Sequence, residues 1–442
     1  MEDFLNVLNI NLAVWLVEIG DSPIQAMWGF LLRGGWIVLL WAFLYIARGM
    51  WLFTRQVKFG MAKTFILIAV DVPKATEQTV KAVENMFAHL AGAHSPPTFM
   101  EKWWNGQTQD TISCEIISIE GHIQYLVRTT RKFRDLVEAS IYAQYPDAEL
   151  TEVEDYASKI PATYPNDTHE CFAIELEPAR SDVYPLKTYL DFEHQMTGEF
   201  KDPLAVLLEA LSRLGPGEQS WYQIVLTPIA QKDFVAKSLK EIQKITGQKP
   251  VVKPSMIDKA LDLPIKGMSL VGDVMFGAGE AGMKKGGETP MNSRMWNLTP
   301  GERKVVEGIE KKMSKIVFGV KIRFVYVAKK EVFQKSKILQ SFIGAIKQYN
   351  TNDMGSLKPE SKRVGVSSAL LLFKNRRNNI RKQQLVMGYR NRSNWAGLKN
   401  FHLGTDELAS LWHLPVSMFV KAPQVKKTEA KKSEPPINLP FG

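Results

Sequence analysis

Residues 35–47 read Gly35-Trp-Ile-Val-Leu-Leu-Trp-Ala-Phe-Leu-Tyr-Ile-Ala47, without a charge or a proline. Apolar residues continue before this stretch, so Met27 to Ala47 forms a mostly apolar run of 21 residues. A bilayer core of ~30 Å is spanned by about 20 apolar helical residues. We therefore predict a transmembrane helix within residues 24–53, with a long buried core helix as the alternative.

The charges on either side of this run predict its orientation. The charged side chains that precede it are all acidic, and four basic side chains follow it: Arg48, Arg55, Lys58 and Lys63. Because the basic flank stays in the cytoplasm, we expect the N-terminus outside and everything from about residue 60 inside the cell. Residues 1–23 carry three Asn in an apolar stretch and are predicted to be an interfacial amphipathic segment. A helical hairpin with both termini inside is the alternative.

The pattern after the anchor predicts an α+β fold. Residues 60–158 alternate short apolar runs with amphipathic helical runs in the order β-α-β-β-α-β, the split-βαβ or ferredoxin-like arrangement. Residues 168–415 follow the same plan with a Gly/Met-rich insertion at 264–300. We expect an N-terminal transmembrane helix followed by two ferredoxin-like α/β sandwich modules. The Lys-, Pro- and Glu-rich residues 421–442 predict a disordered tail.

Motifs for catalysis are missing from the sequence. The two cysteines, Cys114 and Cys171, fit a reducing compartment and form no C-x-x-C motif. The Gly-rich stretch 277–287 has Met283 where a P-loop needs Lys, and no hydroxyl for Mg²⁺ follows. The sequence contains no H-E-x-x-H and no G-x-S-x-G. We therefore expect no cofactor, no metal site and no catalytic residue, and interpret the protein as a non-enzyme.

Basic residues concentrate in one region of the chain. Residues 329–399 hold 16 Lys and Arg against 3 Asp and Glu, whereas the whole chain has a net charge of +10. Phe373, Tyr389 and Trp395 interleave with these charges, a mixture suited to phosphate contacts and ring stacking. Nucleic acid, an anionic membrane surface and an acidic protein surface all fit this pattern. The candidate residues for nucleic acid or anionic lipid are Arg376, Arg377, Arg381, Lys382, Arg390 and Arg392.

Three strings of sequence resemble a known family. They are Ile141-Tyr-Ala-Gln-Tyr-Pro-Asp-Ala-Glu149, Ile343-Gly-Ala-Ile-Lys-Gln-Tyr-Asn350 and Thr405-Asp-Glu-Leu-Ala-Ser-Leu-Trp-His-Leu-Pro415. The resemblance is to an uncharacterised domain of type IV secretion and conjugative DNA-transfer-like proteins, mainly of small-genome bacteria. In that family the domain precedes a P-loop ATPase domain, whereas here a Lys/Pro tail follows.

The resemblance implies a non-catalytic, membrane-anchored component that docks a separate motor ATPase, or a second copy of itself, at the cytoplasmic face. Residues 401–415 are predicted to be a short helix. Its candidate docking residues are Leu408, Leu411 and Trp412, with core packing as their alternative role. The second hypothesis for the whole chain is a membrane-tethered nucleic-acid-binding protein that uses the basic residues of 374–392.

Overall fold

The computed structural model describes residues 36–73, 78–192, 202–247, 298–360, 364–365 and 373–415. Several predicted segments therefore lie partly or wholly outside the described residues. These are the interfacial segment 1–23, the start of the transmembrane segment 24–53, most of the insertion 264–300 and the tail 421–442. The described residues form two compact units, one of 36–64 with 95–109 and one of the rest.

The first unit consists of one long helix and one loop. Helix α1 (Trp36–Ala62) contains no proline, and the loop 95–109 includes a π-helical turn at Glu101–Asn105. The large apolar side chains in the first half of α1 are exposed, whereas Leu52 and Phe59 in its second half are partly buried. Within the described ranges, no helix is long and apolar enough to cross a membrane.

The second unit is built on a sheet that has nine strands within the described residues. The strands are β1 (Phe65–Asp71), β2 (Ile112–Ile119), β3 (His122–Thr130), β4 (Glu149–Glu152), β5 (His169–Pro178), β6 (Glu218–Pro228), β7 (Val317–Lys329), β8 (Leu357–Pro359) and β9 (Phe401–Gly404). Their order is β4-β1-β3-β2-β6-β7-β5-β8, and β9 also pairs with β7. Every pairing is antiparallel.

Eight further helices of the described residues connect or follow these strands. They are α2 (Val80–Leu90), α3 (Arg134–Tyr142), α4 (Ala205–Ser212), α5 (Gln231–Ile245), α6 (Pro300–Met313), α7 (Lys335–Lys347), α8 (Lys374–Arg390) and α9 (Thr405–Leu411). Thr299 and Glu302 form a capping box at the start of α6. The α+β class is therefore confirmed.

The two halves of the second unit share one sheet. Strand β2 of the first half pairs with β6 of the second over its whole length, from Ile112 opposite Leu226 to Ile119 opposite Gln219. Strands from both predicted ranges, 60–158 and 168–415, therefore belong to one continuous sheet. Pairing of the two edge strands removes two unpaired sheet edges from the surface.

Different helices pack on the two faces of the sheet, and alternate side chains of each strand point to opposite faces. On one face, Phe342 of α7 stacks on Phe324 with ring centroids 4.0 Å apart, and Trp412 packs against Tyr125 at 5.8 Å. On the other face, Trp221 lies 5.2 Å from the ring of Tyr389 at the end of α8. The apolar core thus lies on both faces of the sheet.

The end of the second unit differs from its prediction. Residues 401–415 are predicted as one helix, but Phe401–Gly404 form β9 and only Thr405–Leu411 are helical. The strand forms because Phe401 to Gly404 pair with Val320 to Val317 of β7. The helix starts where the Glu407 carboxylate accepts from the Gly404 backbone N–H at 2.7 Å.

Candidate functional site

The predicted basic residues lie on α8 and in the turn that follows it. Arg376 and Phe373 are exposed at the start of this helix, and Trp395 is 78% exposed beyond its end. Arg377 is partly buried. Phe373, Arg376 and Arg377 lie together at the start of α8, and we call these three side chains the α8 surface, whereas Trp395 is exposed at the other end of the helix.

Two basic residues in the middle of α8 contact other parts of the second unit. Lys382 forms an ion pair with Glu170 of β5. Arg381 donates through Nη1 to the backbone carbonyl of Gly365 at 2.9 Å. Arg390 is partly exposed. The basic run of the sequence is therefore divided between the exposed start of the helix and contacts that fasten the helix.

Arg392 is not on the surface. Its side chain is 1% exposed, and its guanidinium bonds both oxygens of Glu115 at 2.9 and 3.1 Å. The same guanidinium donates to Asp155 Oδ1 at 3.0 Å. Its charge is thus paired inside the protein. Arg392 is therefore not in a position to make the predicted contact with nucleic acid or lipid.

Glu115 belongs to a row of polar residues that crosses the middle of the sheet. Glu115 lies opposite Gln223, Gln223 lies opposite Arg323, and Arg323 lies opposite Glu175. All four side chains are at most 1% exposed. We call these four residues the polar row, and apolar residues flank each of them along its strand.

Arg323 connects the polar row to the segment after α8. Its Nε donates to Glu175 at 2.7 Å, and its Nη2 donates to the carbonyls of Ser393 and Ala396, both at 2.7 Å. Lys321, two residues earlier on β7, donates to the Asn394 carbonyl at 2.9 Å. Burial, with the nearby Arg323 charge, lowers the pKa of Lys321 to about 8. The strand therefore binds the chain of residues 393–396 through its carbonyl groups.

Two tyrosines close the other end of the row. The Tyr156 hydroxyl donates to Glu115 Oε2 at 2.8 Å, and it lies 2.7 Å from the hydroxyl of Tyr389. Tyr389 is fully buried, so it is not available for the base stacking that the sequence predicts. Burial opposes ionisation of Glu115, but Arg392 more than offsets it, and the pKa of Glu115 falls below its usual value.

The chemistry of the polar row fits a structural role, in which it holds parts of the fold together. Its charged groups are paired and hydrogen-bonded, and burial excludes the water and substrate that acid–base chemistry would need. Within the ranges that the structure describes, no group of three or more His, Cys, Asp or Glu side chains could hold a metal ion. The row instead links both halves of the sheet to residues 392–396, which follow α8.

Sequence reasoning missed the polar row. The available signal was a Glu, Gln or Arg with apolar neighbours on both sides within each of four strands, at Glu115, Gln223, Arg323 and Glu175. A charge at such a position is costly unless it is paired, so each one predicts a partner in the fold. Finding that partner requires knowledge of which strands lie side by side.

The predicted docking residues are core residues. Leu408, Leu411 and Trp412 are at most 1% exposed, and Trp412 packs edge-on against Phe87 at 6.0 Å between ring centroids. Buried side chains of this kind cannot contact a partner in this structure. Their position agrees with the core-packing alternative.

His413, next to Trp412, forms a buried ion pair that makes stability depend on pH. Its Nε2 lies 3.1 Å from Asp202 Oδ1. Burial disfavours the imidazolium, but Asp202 outweighs this effect and raises the pKa of His413 above its usual 6.5. Burial likewise opposes ionisation of Asp202, but His413 and backbone N–H groups lower the pKa of Asp202 below 3.8.

We expect this pair to stabilise the protein most between about pH 4 and pH 6.5. The His413 contribution is lost as pH rises through the raised pKa, and the Asp202 contribution is lost as pH falls through the lowered pKa. The measurement is urea denaturation across pH for the wild type and for His413→Gln. The difference between the two should shrink at both ends of the range, and a difference that does not change with pH contradicts the ion pair.

Comparison with known proteins gives a family for the chain. Residues 67–428 match the model of a domain described as "Domain of unknown function (DUF8128)". The chain belongs to this family. The match includes the polar row, α8 and the loop 95–109, whereas α1 precedes it. No curated protein matches the DUF8128 chain.

Proposed function

We propose that this protein is a non-catalytic, membrane-anchored component of a type IV secretion or conjugation-like machine. In this role it docks a separate motor ATPase at the cytoplasmic face. The observation that carries the membrane part of the proposal is the exposure of apolar side chains on α1. The machine itself is proposed from the resemblance of three sequence strings.

Exposure around α1 supports an anchor in lipid. Trp41, Phe43, Leu44 and Tyr45 are consecutive or nearly so, and each is 56 to 68% exposed. A helix on a water-soluble body buries one apolar stripe, whereas a helix that is apolar all round needs an apolar surround. The apolar run starts at Met27, nine residues before the first described residue, and together they reach the length of a bilayer core.

The flanking charges support the orientation. Arg48, Arg55 and Lys58 follow the apolar half of α1, and no acidic residue lies between Trp36 and Ala62. A basic flank on this side supports a cytoplasmic location for the second unit. There it can meet a cytoplasmic motor.

Two ferredoxin-like modules are the proposed architecture of the second unit. In the first half, the strand order β4-β1-β3-β2 with antiparallel pairing is that of a split βαβ arrangement. The second half has the corresponding order β8-β5-β7-β6, with β5, β6, β7 and β8 as its first to fourth strands. Helices α5 and α6 lie between its second and third strands. This arrangement supports a scaffold role, because the charged residues of the polar row are buried and paired.

Crosslinking in native membranes tests the docking proposal. The full chain carries a tag after Gly442, and captured proteins are identified by mass spectrometry. We expect a P-loop ATPase of the DNA-transfer class to be recovered with this protein. A catch that contains only further copies of this chain, lipid or nucleic acid contradicts the docking of a motor.

A nucleic-acid-binding role is the second candidate, and the α8 surface favours it. Arg376 is exposed beside the partly buried Arg377, and the rings of Phe373 and Trp395 are 75% and 78% exposed. Of these rings, Phe373 lies at the same end of α8 as the two cations, and such a combination can bind phosphate and stack on a base. Arg392 does not contribute, because it is buried.

Replacing both Arg376 and Arg377 with Ala should weaken DNA binding if this second role is real. Each lost phosphate contact reduces the slope of log K against log salt by about 0.9, so the pair should reduce it by about 2. The matched control replaces Lys232 and Lys240, two exposed lysines of α5 outside the basic region. Failure of the wild type to bind duplex or single-stranded DNA at low salt removes this candidate.

A further inference from the structure

Loop 95–109 is docked against the second half of α1. The indole Nε1 of Trp51 donates to the Trp103 carbonyl at 3.2 Å. The Arg48 guanidinium lies 5.0 Å from the centre of the Trp103 ring, a cation–π contact. Both contacts follow directly after the exposed apolar half of α1.

Gly106 sets how closely the loop approaches the helix. Its φ is +72°, and a Cβ at this position would lie 2.3 Å from the Arg55 carbonyl carbon. Loop backbone therefore touches helix backbone here, which only glycine allows. The loop is fixed in place by this contact rather than tethered only at its ends.

The outward side of the docked loop is apolar and aromatic. Phe99, Met100 and Trp104 are 73%, 61% and 62% exposed. The rings of Phe99 and Trp103 lie 6.0 Å apart, so these two side chains are in contact. A fixed loop that holds large apolar groups outward has an exposed patch of the kind that marks an interaction surface.

Position along α1 indicates which surface this patch meets. A helix of 21 residues extends about 31 Å at 1.5 Å of rise per residue, close to one bilayer core, and the apolar run of the sequence from Met27 to Ala47 has 21 residues. Arg48 and Trp51 then lie at the membrane–water boundary, where Trp rings are enriched. Trp103 is bonded to Trp51 and lies at the same level.

The net positive charge of this unit favours contact with an anionic lipid surface. The described part of this unit carries Arg48, Arg55, Lys58, Lys63 and Lys102 against the single acidic residue Glu101. Basic residues at the boundary are attracted to anionic headgroups, while rings and Met reach into the acyl boundary.

We propose that loop 95–109 is an interfacial collar, in which Phe99, Met100, Trp103 and Trp104 enter the boundary of an anionic membrane around the base of α1. The proposal rests on the membrane anchoring proposed above. The collar gives the anchor a second lipid contact from a distant part of the sequence and fixes how far α1 enters the membrane.

Spin labels on the full chain in lipid vesicles test the collar. The two native cysteines are buried, and burial raises the pKa of each thiol, so an introduced cysteine is labelled selectively. Met100→Cys reports on the collar, Phe43→Cys on the anchor, and Val206→Cys on an exposed apolar site of α4. The vesicles contain phosphatidylcholine with and without phosphatidylglycerol, and collisions with oxygen and with an aqueous nickel chelate are measured.

We expect the label at 43 to collide with oxygen and the label at 206 with nickel. The label at 100 should be protected from nickel, and more strongly with phosphatidylglycerol present. A label at 100 that behaves like the label at 206, while 43 is in lipid, overturns the collar and leaves the anchor intact. A label at 43 that collides with nickel overturns the anchor and the collar together.

Gly106→Ala should displace the loop from α1 and remove the protection at position 100, while the label at 43 stays in lipid. The matched control is Gly60→Ala, because a Cβ at Gly60 meets nothing within 4 Å. The control should keep the full protection. Protection that survives Gly106→Ala overturns the role of α1 in holding the collar.

Discussion

Replacing Arg392 with Met should lower the free energy of unfolding by about 3–5 kcal/mol, because it leaves the buried carboxylate of Glu115 without its charge partner. Glu115 and Arg392 are both at most 1% exposed at their side chains, so water does not replace the lost contact. Three further donors remain near Glu115, from Ser113, Tyr156 and Gln223, but none carries a positive charge. The measurement is urea denaturation of the full chain in detergent.

A second variant separates the lost charge pair from lost packing. Arg392→Met combined with Glu115→Gln removes the unpaired charge, so most of the stability should return. The control for the substitution itself is Arg376→Met on the exposed start of α8, which should change stability by less than about 0.5 kcal/mol. If Arg392→Met behaves like this control, Arg392 is not buried against Glu115 in solution.

Truncating Trp412 to Ala should cost about 3–5 kcal/mol, the range for removing a large ring from a packed core. Trp412 is fully buried and contacts Phe87 of α2 and Tyr125 of β3, so its loss leaves a cavity between helix and sheet. The comparison is Trp395→Ala, the same substitution at a side chain that is 78% exposed. A large loss at Trp395 and a small loss at Trp412 would reverse the assignment of core and surface.

Sequence patterns were sufficient for strands β1 to β7 and most helices of the second unit, but not for β8 or β9. Strand β7 reads as a run of thirteen mostly apolar residues, and α2 shows buried residues at Val80, Val83, Phe87 and Leu90. Both patterns arise from burial against the same core, so they are visible without knowledge of the fold. Helix α8 was missed because its faces are almost all polar, with no apolar stripe to set the period.

Edge pairing between the halves could not be predicted in this way. Strand β2 and strand β6 are about a hundred residues apart, and their register depends on the completed fold of both halves. The same limit applies to the candidate site. Arg392 reads as one more cation in a basic run until Glu115, 277 residues away, is placed beside it.

The ends of loop 95–109 lie close together, because the Ser95 backbone N–H donates to the Gln109 side chain at 2.9 Å. A truncated form that starts near Phe65 would remove the helix under this loop and leave the contacts of Trp103 and Gly106 open to water. Cutting the loop as well, with a short Gly-Ser link from His94 to Asp110, removes both partners of that contact at once. Helix α1 and loop 95–109 can thus be removed together. The remaining sheet with its helices is the form best suited to crystallisation and to binding studies without detergent.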